Sequence, residues 1–206
     1  LSSAQSRKDT VVLGMILEPT SLDPTMAPAA AIGEVVHYNI LEGLTKINVD
    51  GSVTPLLAES WKMDADGKAF TFKLRKGVKW HASDDFTPSR DLNADDVLFS
   101  IHRQWNPVHP FFKISSDRHP YFNDMNMGQV LASVDKEDPY TVVIQLSKPM
   151  APLLANLAMP WASIYSQEYA QAMLLKGTPE RLDEKPIGTG PFQFISYTKN
   201  KTIEFK

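Results

Sequence analysis

The chain has no cysteine, which excludes disulfides, thiolate metal sites and a thiol nucleophile. The compartment stays open, because many large exported proteins also lack cysteine. Positive charge is not in excess either. Lys and Arg number 21 against 24 Asp and Glu, giving a formal net charge of -3 and a pI near 6.0. No global basic field draws such a chain to nucleic acid or acidic lipid. No apolar run approaches the ~18 residues that a membrane span needs. The G-x-S-x-G elbow of serine hydrolases is missing as well. The opening LSSAQSRKDT has no initiator methionine and no apolar h-region; it suits the mature end left by signal-peptide removal and suits a trimmed chain equally.

What is there is a chain of 206 residues, 43% of them hydrophobic, enough to bury a core in one large domain or two small ones. Val11 to Leu17 is a short apolar run bounded by EPTSLDPTMAP and predicts a buried strand running into a loop. GEVVHYNILEGL places Val36, Ile40 and Leu44 four apart, predicting a helix that closes near Gly43. Phe70, Phe72 and Leu74 alternate with polar residues as in a half-buried strand, and Asp66-Gly67 before them is a hairpin turn signal. Asn93 is placed to cap a helix over ADDVLFSIHRQW, with Val97, Ile101 and Trp105 on its apolar stripe. From Asn106 to about Gly128 the chain is polar and aromatic without a clear period.

Tyr140 to Leu146 predicts a further strand. Ala151 to Ala158 and Ser166 to Lys176 predict helices, the second capped by Ser166 and closed by Gly177. FQFISY and KTIEFK predict a strand pair around TKNK. The mixture has no strict βαβ rhythm and no internal repeat, so the expected architecture is mixed α/β in layers.

Candidate chemistry is sparse. Gly188 and Gly190 in KPIGTGPFQF have the look of a phosphate cradle, but Pro191 offers no N–H and a strand follows where a nucleotide loop needs a helix; the residues predict a tight turn. His81 to Asp85, HASDD, combines an imidazole with carboxylates but lacks two ligands on one helical face, and a solvated turn explains it. Asp95 and Asp96 form a carboxylate pair, yet they fall in the first turn of the predicted helix, where the dipole favours negative charge. Trp105, Phe111, Phe112, Tyr121 and Phe122 surround the irregular segment, either as core or as the lining of a ligand cleft. None of these groups argues for catalysis.

Three motifs in order carry a resemblance. LLAESWKMDADGKAFTFKLRKGVKWH, from Leu56 to His81, is similar to the signature region of the family 5 extracytoplasmic solute-binding proteins of ABC importers. LNADDVLFS, Leu92 to Ser100, and PIGTGPFQF, Pro186 to Phe194, resemble segments of the same family. ASIYSQEYAQAM and GTPERLD look closest to its dipeptide-binding branch, whose relatives include haem- and antimicrobial-peptide-associated receptors.

The resemblance implies a periplasmic-binding-protein-like (class II) α/β fold of two lobes that close on a ligand, of which this chain resembles lobe I, with the second lobe absent. Residues 1–44 and about 161–206 would form its main sheet, and about 45–160 an extra peripheral α/β subdomain. The implied function is non-enzymatic: capture of a di- or oligopeptide or similar small solute outside the cytoplasm, and delivery to a membrane permease. The implied protein is a periplasmic monomer (membrane-anchored if the source is Gram-positive), not itself spanning the membrane, without nucleic acid, metal or cofactor.

In the dipeptide branch the charged groups that hold the peptide termini lie on the second lobe. The first lobe contributes backbone groups that map near Ala29, Ala30 and Ala31, and an aromatic residue that maps onto His119. Both places depart from the branch pattern: polar and glycine-containing residues have become alanines, and SDRHPYF replaces a glycine-rich, tyrosine-bearing loop. HASDDF also lacks the Asp-Gly common after the family's KWH. Two rivals remain: a haem or metal-chelate carrier using His119 or His81, and, more remotely, a hydrolase.

Overall fold

A computed structural model of the chain describes residues 9–27, 29–114 and 119–206. The opening octet and residues 116–118 of SDRHPYF therefore lie outside the described residues. In chain order the elements are α1 (Ala30–Val36), β1 (Thr45–Ile47), β2 (Val53–Pro55), β3 (Ala58–Met63), β4 (Ala69–Leu74), α2 (Ala94–Trp105), α3 (Pro120–Asp124) and α4 (Met127–Val130). There follow β5 (Leu131–Asp138), β6 (Thr141–Leu146), α5 (Leu153–Asn156), a 3-10 turn at Pro160–Ala162, α6 (Gln167–Leu175), α7 (Arg181–Glu184), β7 (Phe194–Thr198) and β8 (Thr202–Phe205).

The main described sheet is antiparallel, in the order β3-β4-β6-β5. Its register sets Phe72 between Trp61 and Val142, and Phe70 between Met63 and Ile144. Phe70, Phe72, Leu74, Val142, Ile144 and Leu146 are all buried while the residues between them are partly or fully exposed on the other face, apart from Thr141 at the strand start. One apolar face packed and one wet is the usual solution for such a sheet. The hairpin joining β3 to β4 turns at Gly67, whose φ of 67° is the left-handed conformation that the Asp66-Gly67 signal anticipates.

The covering helix is α2, which packs on β5 and β6 and against α6. Its start is as the sequence predicts. Asn93 Oδ1 accepts from the Asp95 amide at 2.9 Å, and Asp96 reaches back to the Asn93 amide at 3.0 Å, a capping box. Val97 and Ile101 are buried, but Trp105 is only partly so. α6 likewise starts on the Ser166 hydroxyl and ends in a Schellman turn, with Gly177 at φ 72° and the Thr178 amide on the Met173 carbonyl at 2.9 Å.

Three expectations are corrected. Val11 to Leu17 is not a buried strand: Val12 is 89% exposed and Ile16 fully so. An apolar run becomes a strand only beside a neighbour that takes its N–H and C=O groups, and among the described residues no strand pairs with it. The helix expected over residues 33–44 lies earlier, at Ala30–Val36. Tyr38, at φ 60°, breaks it, and a compact turn with the Leu41 amide on the Val36 carbonyl still buries Ile40 and Leu44. The helix expected over 151–158 shortens to one turn, α5, before the Pro160 turn.

Candidate functional site

The glycine-proline motif is a docking surface for the chain's own backbone. The Gly190 amide donates to the Ile40 carbonyl at 2.9 Å, the Phe192 amide to Asn39 at 2.9 Å, and the His81 amide to the Gly188 carbonyl at 2.9 Å. A Cβ on Gly188 would stand 1.8 Å from the Ile40 carbonyl oxygen, and one on Gly190 2.4 Å from that of Asn39. Glycine is there because two main chains touch, and the Gly190 and Phe192 amides are spent on that contact. His81 belongs to the same contact, with Nε2 2.7 Å from the Gly190 carbonyl. Among the described residues no group of three or more His, Cys, Asp or Glu is placed to hold a metal ion.

The carboxylate pair in the first turn of α2 divides by burial. Asp96 is fully buried and holds Arg90 through both oxygens, at 2.7 and 2.9 Å, while accepting the Gln167 amide at 2.8 Å. Asp95 faces outward to Lys136. Asp96 begins a buried polar stripe on α2 that continues at Ser100 and Gln104. The Ser100 hydroxyl accepts the Tyr165 amide at 2.8 Å, and Gln104 Nε2 donates to the Trp161 carbonyl at 3.1 Å. Side chains at i, i+4 and i+8 thus pin residues 167, 165 and 161 along the helix, a rung every helical turn.

Arg103, beside this stripe and 2% exposed, ends in the loop that precedes α1. Its guanidinium pairs with Asp23, also 2% exposed, and donates to Thr25 Oγ1 at 2.5 Å. Asp23 Oδ1 accepts from the Thr25 amide at 2.8 Å, the Thr25 hydroxyl at 2.7 Å and the Tyr165 hydroxyl at 2.8 Å. The Tyr165 ring lies under the guanidinium, 4.6 Å from its centroid. Burial works against ionising Asp23, yet the Arg103 charge and the Thr25 hydrogen bonds outweigh it and hold the carboxyl below its usual range. Burial, with the Asp23 charge beside it, pushes the Tyr165 phenol well up. Sequence reasoning did not single out Arg103 or Tyr165. The available signal was Asp96, Ser100 and Arg103 recurring at helical spacing next to the apolar stripe.

The four residues assigned by resemblance fall around this cluster. Ala29 is the extended N-cap residue of α1 and has no side-chain oxygen to cap it; Ala30 is exposed and Ala31 buried. They stand three to five residues after Met26, a buried residue of the pinned loop. His119 is completely buried, its Nε2 3.2 Å from the Phe112 carbonyl and its ring edge-on to Phe112 at 5.0 Å. Burial and then the Arg103 charge hold its pKa below the ordinary histidine range. Of the aromatic group, Phe111 and Phe122 are core, and Phe112, Tyr121 and Trp105 lie at its margin.

Four of the five imidazoles make the fold sensitive to acid. His109 Nδ1 accepts the Phe111 amide at 3.1 Å, which requires that nitrogen unprotonated, and burial followed by the Arg103 and His102 charges lowers its pKa from 6.5 to about 4. His37, His81 and His119 are also lowered, chiefly by burial. The unfolded chain therefore binds more protons than the fold below the ordinary histidine range, so stability falls as pH drops from 6.5 toward about 4. Calorimetric Tm values across that window should decline less steeply in His109→Asn than in the wild type; parallel curves would show that His109 takes no part.

The chain matches the family described as bacterial extracellular solute-binding proteins, family 5 Middle, over residues 52–206. It belongs to that family. It is similar to the dipeptide-binding protein of Escherichia coli K12, with 52% identity over 154 residues, which cover 75% of this chain and 29% of the relative. It is also 48% identical over 168 residues to heme-binding protein A of Haemophilus influenzae, covering 82% of this chain and 30% of that one. Among solved structures, a dipeptide-binding protein from Pseudoalteromonas in complex with Met-Leu superposes with a TM-score of 0.87 at 31% identity, over 91% of this chain and 37% of that one. The chain thus spans about a third of the length of these proteins, and its α/β fold is theirs.

Proposed function

We propose that this chain is the first-lobe part of the substrate-binding component of an ABC importer, which captures a di- or oligopeptide outside the cytoplasm and hands it to a membrane permease without catalysing a reaction. The observation that carries this reading is the superposition of its backbone on a receptor solved with a dipeptide. Residues 1–44 and 161–206 would belong to the main lobe and 45–160 to the peripheral subdomain, within which the whole β3-β4-β6-β5 sheet falls. Ligand bridging two lobes would favour the closed state by its differential affinity.

On the first lobe, main-chain groups at Ala29, Ala30 and Ala31 would meet the ligand. Amides at a helix start have no intrahelical acceptor, and methyl side chains leave them approachable. His119, completely buried, would support that surface from within. Among the described residues no helix is long and apolar enough to cross a membrane, in keeping with an extracytoplasmic receptor.

A second reading, a haem or metal-chelate carrier, is favoured by the relative named for haem. Nε2 of each proposed ligand, His119 and His81, already faces a carbonyl, and Nδ1 of each is buried, so a metal would have to enter on the buried side of either ring. Calorimetry of the intact protein against a panel of di- and tripeptides, with a parallel haemin titration followed at the Soret band, separates the two. Saturable peptide binding supports the transport reading. Haemin binding that His119→Ala abolishes, with no peptide bound, overturns it.

A further inference from the structure

We propose that Asp23, Arg103 and Tyr165 are positioning residues of the ligand site: their buried cluster sets where Thr25 to Ala27 stand and, through them, how the main chain of Ala29 to Ala31 meets a bound peptide. The proposal rests on the peptide-receptor reading for the word ligand, but its structural half can be read without one.

Four observations carry it. First, the loop before α1 is not a surface loop in the ordinary sense, since Leu22, Asp23, Thr25 and Met26 are all buried. Connecting segments usually run over the surface, because a buried loop must find partners for its polar groups. Second, those partners come from two distant parts of the chain, Arg103 at the end of α2 and Tyr165 after the 3-10 turn, so the loop is fixed relative to both. Third, those two parts are themselves tied together by the rungs from Ser100 and Gln104 to residues 165 and 161. Fourth, α1 offers no device of its own for fixing its start: Ala29 makes no side-chain cap, and the first turn carries no acidic residue. Ile32 and Val36 seat the body of α1 in the core, so the entry of the chain at its start is left to the loop before it, which the Asp23–Arg103 pair holds. A rigid, pre-set loop binds more tightly than one that must be ordered on binding.

A purely structural ion pair would make a different prediction from a positioning one. Replacing both charges by apolar residues of similar size often restores the stability that removing one partner loses. The test uses the intact protein and the double variant Asp23→Leu/Arg103→Met. Tm should recover most of what Arg103→Met alone loses, while amide hydrogen exchange at Met26 and Ile32, which donate to the Asp23 and Ala29 carbonyls, speeds up by about tenfold or more and the β4 and β6 amides stay as in the wild type. The tightest peptide of the panel should bind about tenfold more weakly to the double variant.

Unchanged exchange at Met26 and Ile32 overturns the proposal, and so does faster exchange with wild-type peptide affinity. If the double variant does not fold, Tyr165→Phe decides: it removes one hydroxyl from Asp23 and keeps the ring under the guanidinium. Its exchange at the same amides should rise several-fold, and wild-type protection there overturns the proposal. A wild type that binds no peptide would sink the receptor reading alone, leaving the exchange result to judge the cluster.

Discussion

Gly188→Ala is expected to lower the unfolding free energy by about 3 kcal/mol or more. The new Cβ would lie 1.8 Å from the Ile40 carbonyl oxygen and 2.6 Å from its carbon. Both are main-chain atoms, so no side-chain rotation relieves the clash. The loop would have to lift, and lifting breaks the bonds from Gly190 to Ile40, from Phe192 to Asn39 and from His81 to Gly188. Overpacking costs about 1–3 kcal/mol, and each buried polar group left unpaired a similar amount. Gly14→Ala is the control, since nothing stands within 4 Å of its added carbon, and it should stay within about 0.5 kcal/mol of the wild type. Urea midpoints at constant m-value measure both. A wild-type midpoint for Gly188→Ala would mean that the motif does not seat on residues 39–40 as described.

That motif also shows what local sequence conveys and what it withholds. Pro191 sufficed to exclude a phosphate cradle, and the strand after it is present as β7. The reason for the glycines lies about 150 residues away, at Asn39 and Ile40, and nothing near Gly188 in sequence points there. Elements with local instructions were legible: β4 from its alternation, α2 from Asn93, the end of α6 from Gly177. β5 was not, because register shifts at Leu131/Ser133 and Lys136/Asp138 break its period and only Leu131 and Val134 are buried. α1 was misplaced because Ala29 gives its start no polar cap, while Ile40 and Leu44 extend the apolar spacing past the residue that ends it, Tyr38. Val11 to Leu17 had strand composition, but strand formation is a property of a pair of segments.

The candidate site divides in the same way. The alanines and His119 came from resemblance alone, and the structure adds what spacing cannot, a charged pair separated by 80 residues in sequence with both members 2% exposed. A mixed helical stripe of Asp96, Ser100 and Arg103 was visible in the sequence. Its partners, the Gln167 and Tyr165 amides and Asp23, were not.

Arg103→Met should cost about 3–5 kcal/mol at neutral pH, because it strands the Asp23 carboxylate without its counter-charge. Three hydrogen bonds, from Thr25 and Tyr165, would remain to that carboxylate. They soften the penalty without replacing a cation. The pH dependence distinguishes this from a simple loss of packing. In the wild type the folded Asp23 pKa lies below 3.8, so its stabilising contribution is present above that value and is lost as pH falls through the folded pKa. In the variant only the Thr25 and Tyr165 hydrogen bonds oppose burial, and the folded pKa is expected to rise above the unfolded one. The fold then holds its proton more tightly than the unfolded chain, and its disadvantage grows with pH until the folded pKa is passed. The stability gap between wild type and Arg103→Met should therefore be widest near neutrality and narrow as pH is lowered toward 4. A packing loss would give a gap that is flat in pH. Adding Asp23→Leu removes the stranded charge, and should close most of the gap at neutral pH while leaving it independent of pH.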